Sequence, residues 1–212
     1  MADAVTICNL ALSYLGDEAT VASIDPPEKS AQARLCATYY PVARDALLSM
    51  HDWAFATRVR EAPALEEESK DGWLTVCAVP SDCIHVIKVR DAQALDAPCP
   101  YPSAFRNFVD GEPEGAPFTV QGNNIYTSAS SPVVTYTSNA VSESQFPPAF
   151  VTALAYYLAV ELAGARVKGQ EGRALASSLQ KSFQVALAAA RSRDAAQQQK
   201  HRDFIPKWLR VR

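Results

Sequence analysis

The sequence holds only three histidines, His51, His85 and His201, and they stand far apart. Neither H-E-x-x-H nor G-x-S-x-G occurs, so a metalloprotease and a nucleophile-elbow hydrolase lose their signatures. Glycine is scarce as well, and the one stretch that gathers it, "GARVKGQEG", lacks the Gly-Lys-Ser/Thr that would hold β- and γ-phosphates. That stretch reads as a helix–helix turn. Cys77, Cys83 and His85 form C-x5-C-x-H, without the paired C-x-x-C or H-x3-H spacing that lets short loops wrap a tetrahedral ion. No catalytic residue, cofactor or metal is expected, and the chain does not read as an enzyme. The five cysteines, Cys8, Cys36, Cys77, Cys83 and Cys99, are an odd set at irregular spacing, which argues against a disulfide framework and fits a reducing compartment.

Long hydrophobic runs are missing too. The longest, "AFVTALAYYLAVELAGA", carries Glu161 and lies between prolines and Arg166, short of the roughly 20 apolar residues that cross a bilayer. No membrane partner is expected. The opening "MADAVTICNLALSYLG" has no basic n-region and reads as a helix rather than a signal peptide, so the chain is expected to stay in the cytosol where it is made. A formal net charge of −3 gives no general attraction to nucleic acid.

What is present is a globular composition. Hydrophobic residues make up 48% of 212 residues, enough for one large domain or one domain with an insertion. Val5, Cys8, Leu12 and Leu15 alternate at three- and four-residue spacing ahead of Gly16, which predicts a helix over 4–15. Asp25 as N-cap, Pro26 in the first turn and Glu28 three residues after the cap predict a second helix over 28–50, with Pro41 bending it. Its apolar face reads as Leu35, Tyr39, Val42, Ala46, Met50 and Trp53. Residues 58–72, "RVREAPALEEESKDG", read as a charged surface connection. "WLTVCAVP", "CIHVIKVRDA", "PFTVQGNNIYTS" and "PVVTYTSNA" read as strands, with a tight hairpin turn at "QGNNIY". After Pro147 and Pro148 comes a helix apolar nearly all round, which predicts the centre of the helical part. A last helix, 171–198, repeats Leu175, Leu179, Phe183, Ala186 with Leu187, and Ala190.

The fold class expected is α+β. An antiparallel helical bundle is drawn from both chain ends, residues 1–72 and 141–198, with a β-rich insertion at 73–140 and a C-terminal arm at 199–212. Two internal features call for explanation. Glu161, the single charge on the apolar helix, reads as one half of a buried structural pair with Arg34 or Arg44, or as a position at a subunit contact. Trp53 and Phe55 read as a seal between the helical and β-rich parts. The arm itself crowds Phe204, Ile205, Trp208 and Leu209 among Lys200, Arg202, Lys207, Arg210 and Arg212, with Asp203 the only acid. Too short to bury its own aromatics, it either folds back on its own domain or is a hook for a partner, with Phe204, Ile205, Trp208, Leu209, Arg210 and Arg212 as the binding residues.

"ICNLALSYLGD", then "ARDALL…HDWAFA", then "VPSDCIHVIKV", then "ALAYYLAVELAG" resemble, in that order, the tail tubular protein A family, the head-to-tail adaptors of short-tailed bacteriophages. The resemblance covers most of the chain and is strongest at the two helical ends. It implies a structural virion protein of the tail or neck, made in the bacterial cytoplasm. Such a protein forms a ring of copies of itself, twelve-fold in this family, docks under the portal protein, and offers its lower face to the tail nozzle protein. Genomic DNA passes through the lumen without specific binding. With that resemblance the arm becomes a segment that docks on the portal or on a neighbouring subunit. A different class of function stands beside it: a nucleic-acid-binding accessory protein that uses the basic C-terminal run, marked by steep salt dependence.

Overall fold

A computed structural model describes residues 2–17, 20–65, 72–92, 115–166 and 169–197. The chain is mixed α+β and divides into two units, one from residues 1–56 with 139–198, the other from 57–138.

The first unit is helical. Helix α1, Ala4–Tyr14, starts where the Asp3 carboxylate accepts the Thr6 N–H at 2.7 Å, and ends ahead of Gly16. Helix α2 is Ala31–Ser49, capped by Ser30, whose hydroxyl accepts the Ala33 N–H at 3.1 Å. The Asp25 cap is therefore a misreading. Asp25 and Pro26 each precede a proline, which disfavours helical backbone; the stretch folds instead into a turn in which Ser23 O–H donates to the Pro26 carbonyl. Pro41 does lie inside α2.

The face of α2 also differs from expectation. Ala33, Cys36, Tyr40, Ala43, Leu47 and Leu48 are buried, while Leu35, Tyr39, Ala46 and Met50 are half-buried and Val42 is 67% exposed. The helix carries two apolar stripes, and the buried one runs through Cys36, Tyr40, Ala43 and Leu47. Its partner α3, Pro148–Arg166, buries Ala153, Ala155, Ala159 and Ala163 among Phe150, Leu154, Leu158 and Leu162, and the two helices pack together. Helix α3 packs against α1, α2 and α4, Gly169–Gln197, and so is the centre of this unit, as its all-round apolarity predicts. By length and composition alone it could cross a membrane; its burial among three helices explains the same apolarity. Helix α4 buries Leu179, Phe183 and Ala190, with Leu175, Ala186 and Leu187 half-buried. At the other end of α3, Arg166 is ion-paired with Asp17 just after α1.

The second unit holds two three-stranded antiparallel sheets. One has the order β1–β6–β3, from Thr57–Glu61, Pro132–Ser138 and Cys83–Asp91; the other has β2–β5–β4, from Thr75–Ala78, Asn124–Thr127 and Phe118–Gln121. The expected hairpin is there: Gln121 pairs with Asn124 across a turn in which Gly122 takes φ +60. Val89, Val134 and Tyr136 of the first sheet meet Cys77 and Ile125 of the second in one core. The stretch expected to be a connection from residue 58 instead supplies β1, so this unit begins at Thr57, not at 73. Strand β1 is an edge strand pairing with β6, and Arg58, Arg60 and Glu61, the charges that disguise it as a loop, suit an edge that must resist further pairing.

One glycine in this unit is sterically required. A Cβ on Gly115 would sit 2.7 Å from the Val89 carbonyl oxygen and 2.9 Å from Lys88 Cγ. The first is backbone of β3 and cannot swing away. Gly115→Ala is expected to destabilise the chain by roughly 1–3 kcal/mol, as overpacking does; an unchanged urea midpoint would rule out the close approach.

Candidate functional site

The six residues expected to bind a partner, Phe204, Ile205, Trp208, Leu209, Arg210 and Arg212, lie outside the described residues. Chemistry among the described residues concentrates in two polar clusters, one in each unit.

In the helical unit the buried carboxylate is not Glu161. Glu161 is solvent-exposed on α3, beside the Tyr157 hydroxyl. Arg44 pairs with Asp45 at 3.0 Å and approaches Glu143 at 3.9 Å, while Arg34 donates to the Ser30 and Lys29 carbonyls. The expected Glu161–arginine pair is thus replaced. A single acid on an apolar helix signals burial only if its own face is covered, and residue 161 falls on the open side.

The acid that is buried is Asp194, 5% exposed near the end of α4. Its carboxylate accepts the Ala54 N–H at 3.1 and 3.3 Å and lies 3.3 Å from His51 Nε2. One turn earlier, Arg191 donates to the Met50 carbonyl at 2.6 Å, placing a cation at the C-terminus of α2. Periodicity could have found Asp194, four residues after buried Ala190 on the same stripe. Beside this clamp, the Trp53 ring meets His51 at 4.9 Å and Phe150 at 5.0 Å, both edge-on, and Phe55 and Phe146 complete a four-ring aromatic cluster with Phe150. Trp53 and Phe55 therefore have aromatic partners from within the helical unit.

Two further groups there are held uncharged. Burial and the Glu143 carboxylate push the Tyr40 hydroxyl well up, while that hydroxyl donates to Glu143 at 3.2 Å. Cys8 and Cys36 are fully buried, and the hydrogen bond to Cys36, together with burial, raises the Cys8 thiol far above its usual range. The same Cys8–Cys36 hydrogen bond acts in the opposite direction on Cys36 and lowers its thiol.

In the second unit, Asp82 sits just before β3 and accepts hydrogen bonds from Ser138 Oγ at 2.6 Å and Tyr136 Oη at 3.1 Å. The Ser138 bond, then Tyr136 and the charge of Arg60, hold its carboxyl below the ordinary 3.8. A carboxylate favoured in the folded chain contributes stability above its unfolded value and loses it as pH falls through the folded value. The stability gap between the parent chain and Asp82→Asn is therefore expected to be full at neutral pH and to shrink as pH drops below 3.8, measured by urea midpoints; a gap independent of pH would remove Asp82 from this role.

The pairing register separates the residues that invited a zinc reading. Cys83 is opposite Ser138 and His85 opposite Thr137, so the two point to opposite faces of the sheet. Among the described residues, no group of three or more His, Cys, Asp or Glu could hold a metal ion. Cys8, Cys36, Cys77 and Cys83 are free thiols. Large apolar side chains do reach solvent: Val42 on α2, Val185 on α4 at 72%, and Leu74 and Val59 in the second unit.

A scan against protein-family models returns no match for this chain, and a search of curated proteins returns none.

Proposed function

We propose that the chain is a structural virion protein, a ring-forming head-to-tail adaptor of the tail tubular protein A type. In this reading a helical bundle built from both chain ends carries an inserted β-rich domain. Copies close into a ring, twelve-fold as the resemblance implies, beneath the portal, extend the DNA channel and present a platform to the tail nozzle. The observation that carries the reading is the order of the four segments that resemble the family. Three of them coincide with α1, the α2 C-terminus with its aromatic turn, and α3, the elements that build the helical core. The fourth coincides with β3 and the Asp82 turn. An interrupted order would have left the resemblance on one helix pair alone.

Val42 and Val185, on different helices, each leave a large apolar side chain exposed, and in this reading they are the positions at which contacts between copies are tested. The arm, with Phe204, Ile205, Trp208 and Leu209 as anchors, is the proposed hook for the portal or a neighbour. The test is native mass measurement of the purified chain mixed with portal protein from the same phage. A closed multi-subunit ring on the portal is the expected result. Val42→Lys and Val185→Lys, both at exposed positions, should reduce ring formation while leaving melting unchanged. A chain that stays monomeric beside a folded portal ring would overturn the adaptor reading.

A further inference from the structure

Helix α2 carries a second apolar stripe that its own unit leaves partly open. Leu35, Tyr39 and Ala46 on it are half-buried, and Val42, at its centre, is 67% exposed. Helix α4 has an open face of its own: Val185 is 72% exposed, and Ala188, Ala189 and Ser192 around it are exposed as well. A lone exposed valine is ordinary. Here each valine is the centre of a helix face, and the charges on the two faces decide whether and how they fit.

At about 100° per residue, the side of α2 that bears Val42 carries one charged residue within two turns, Asp45, and the side of α4 that bears Val185 carries one, Lys181. The two signs are opposite. Asp45 lies one turn after its valine and Lys181 one turn before its own, and each is rotated from the valine by about 40–60° in the same sense. Laid antiparallel with the valines opposed, the helices therefore bring Asp45 and Lys181 to the same height on the same flank. A parallel pairing puts them at opposite ends and on opposite flanks. On the other flank the antiparallel pairing sets Tyr39, one turn before Val42, against Ala189, one turn after Val185, so a large side chain faces a small one.

The two charged groups are accessible for such a contact. Lys181 is exposed, and the Asp45 side chain is 41% exposed. Arg44 Nε meets Asp45 at Oδ1, 3.0 Å away, but a carboxylate has a second oxygen, and Glu143 within 3.9 Å of the same guanidinium leaves the group of three with one negative charge in excess.

We infer that α2 of one copy packs antiparallel on α4 of a second copy of this chain, with Val42 against Val185 and Asp45 paired with Lys181. The inference rests on the ring-forming reading above and names its contact. Both faces belong to one chain but lie on different helices, so the contact is heterologous and repeats from copy to copy.

The test uses the full chain without portal protein. Isotopically heavy and light chains are mixed at high concentration and treated with a zero-length carbodiimide, which joins a carboxylate to an amine that it touches; a heavy–light peptide linking Asp45 to Lys181 is expected. By sedimentation velocity, Asp45→Lys and Lys181→Asp should each weaken self-association by about tenfold or more, because like charges then face each other. An equal mixture of the two variants should restore it, since every contact in an alternating series again pairs opposite signs, and two misfolded chains could not rescue one another. A chain that stays monomeric, a heavy–light product without the Asp45–Lys181 link, or a mixture no more associated than either variant alone would overturn the proposal. Self-association through this pair by a chain that ignores the portal would keep the contact and remove the adaptor role. A ring on the portal that is indifferent to both charge changes would keep the adaptor and remove the contact.

Discussion

Asp194→Ala is expected to lower the stability of the helical unit by roughly 3 kcal/mol, the scale of removing one member of a buried charged network. The carboxylate satisfies the Ala54 N–H and faces His51. Removing it leaves a backbone donor in a turn that has already left the α2 ladder, where no carbonyl of α2 can take over. The methyl group of alanine also leaves a void beside His51 and the Ala54 N–H. Asp194→Asn keeps the shape and one acceptor oxygen, so it should cost less than alanine. For a chain of this size, 3 kcal/mol corresponds to about 6–12 °C in melting temperature. An Asp194→Ala protein that melts with the parent would show that α4 does not hold the α2 terminus. Glu161→Ala, by contrast, removes an exposed carboxylate and should leave melting nearly unchanged.

That contrast shows where the sequence was legible. Helix α3 was readable as a central element because it is apolar nearly all round, so its apolar surface exceeds what one neighbouring helix could cover. Helix α2 was not, because it has two apolar stripes. Periodicity selected Leu35, Tyr39 and Val42, whereas the stripe that is buried runs through Ala33, Cys36, Tyr40, Ala43 and Leu47, with Cys36 hydrogen-bonded to Cys8 of α1. Strand β1 was hidden for a different reason: its pairing partner β6 lies some seventy residues later, and alternating Arg58 and Arg60 give a local pattern that charge alone reads as solvent. The Asp82 cluster was equally out of reach. It depends on register, and the bulges that set the register of β3 leave no mark in composition. The expected binding residues of the arm, Phe204 to Arg212, lie outside the described residues, so the arm rests on its chemistry.

Phe150→Ala should be the most damaging single change in the aromatic cluster, costing about 3–5 kcal/mol, the range for truncating a buried phenylalanine. Phe150 is 1% exposed and touches three other rings, Trp53 at 5.0 Å, Phe55 at 4.9 Å and Phe146 at 4.9 Å, each tilted steeply to it. Edge-on geometry adds to area burial, because the positive rim of one ring meets the negative face of the next. Trp53 and Phe55 precede the β strands in sequence and Phe146 and Phe150 follow them, so this cluster joins the two separated stretches of chain that make the helical unit. Its loss should therefore weaken that joining as well as open a cavity. Phe150→Leu keeps most of the volume and loses the ring contacts, and should fall between parent and alanine. A double-mutant cycle with Trp53→Leu isolates the pair, with a coupling of about 0.5–1.5 kcal/mol expected beyond additivity. If Phe150→Ala and Phe150→Leu cost the same, volume alone would account for the site; if neither lowers the melting temperature, the cluster does not hold the two stretches together.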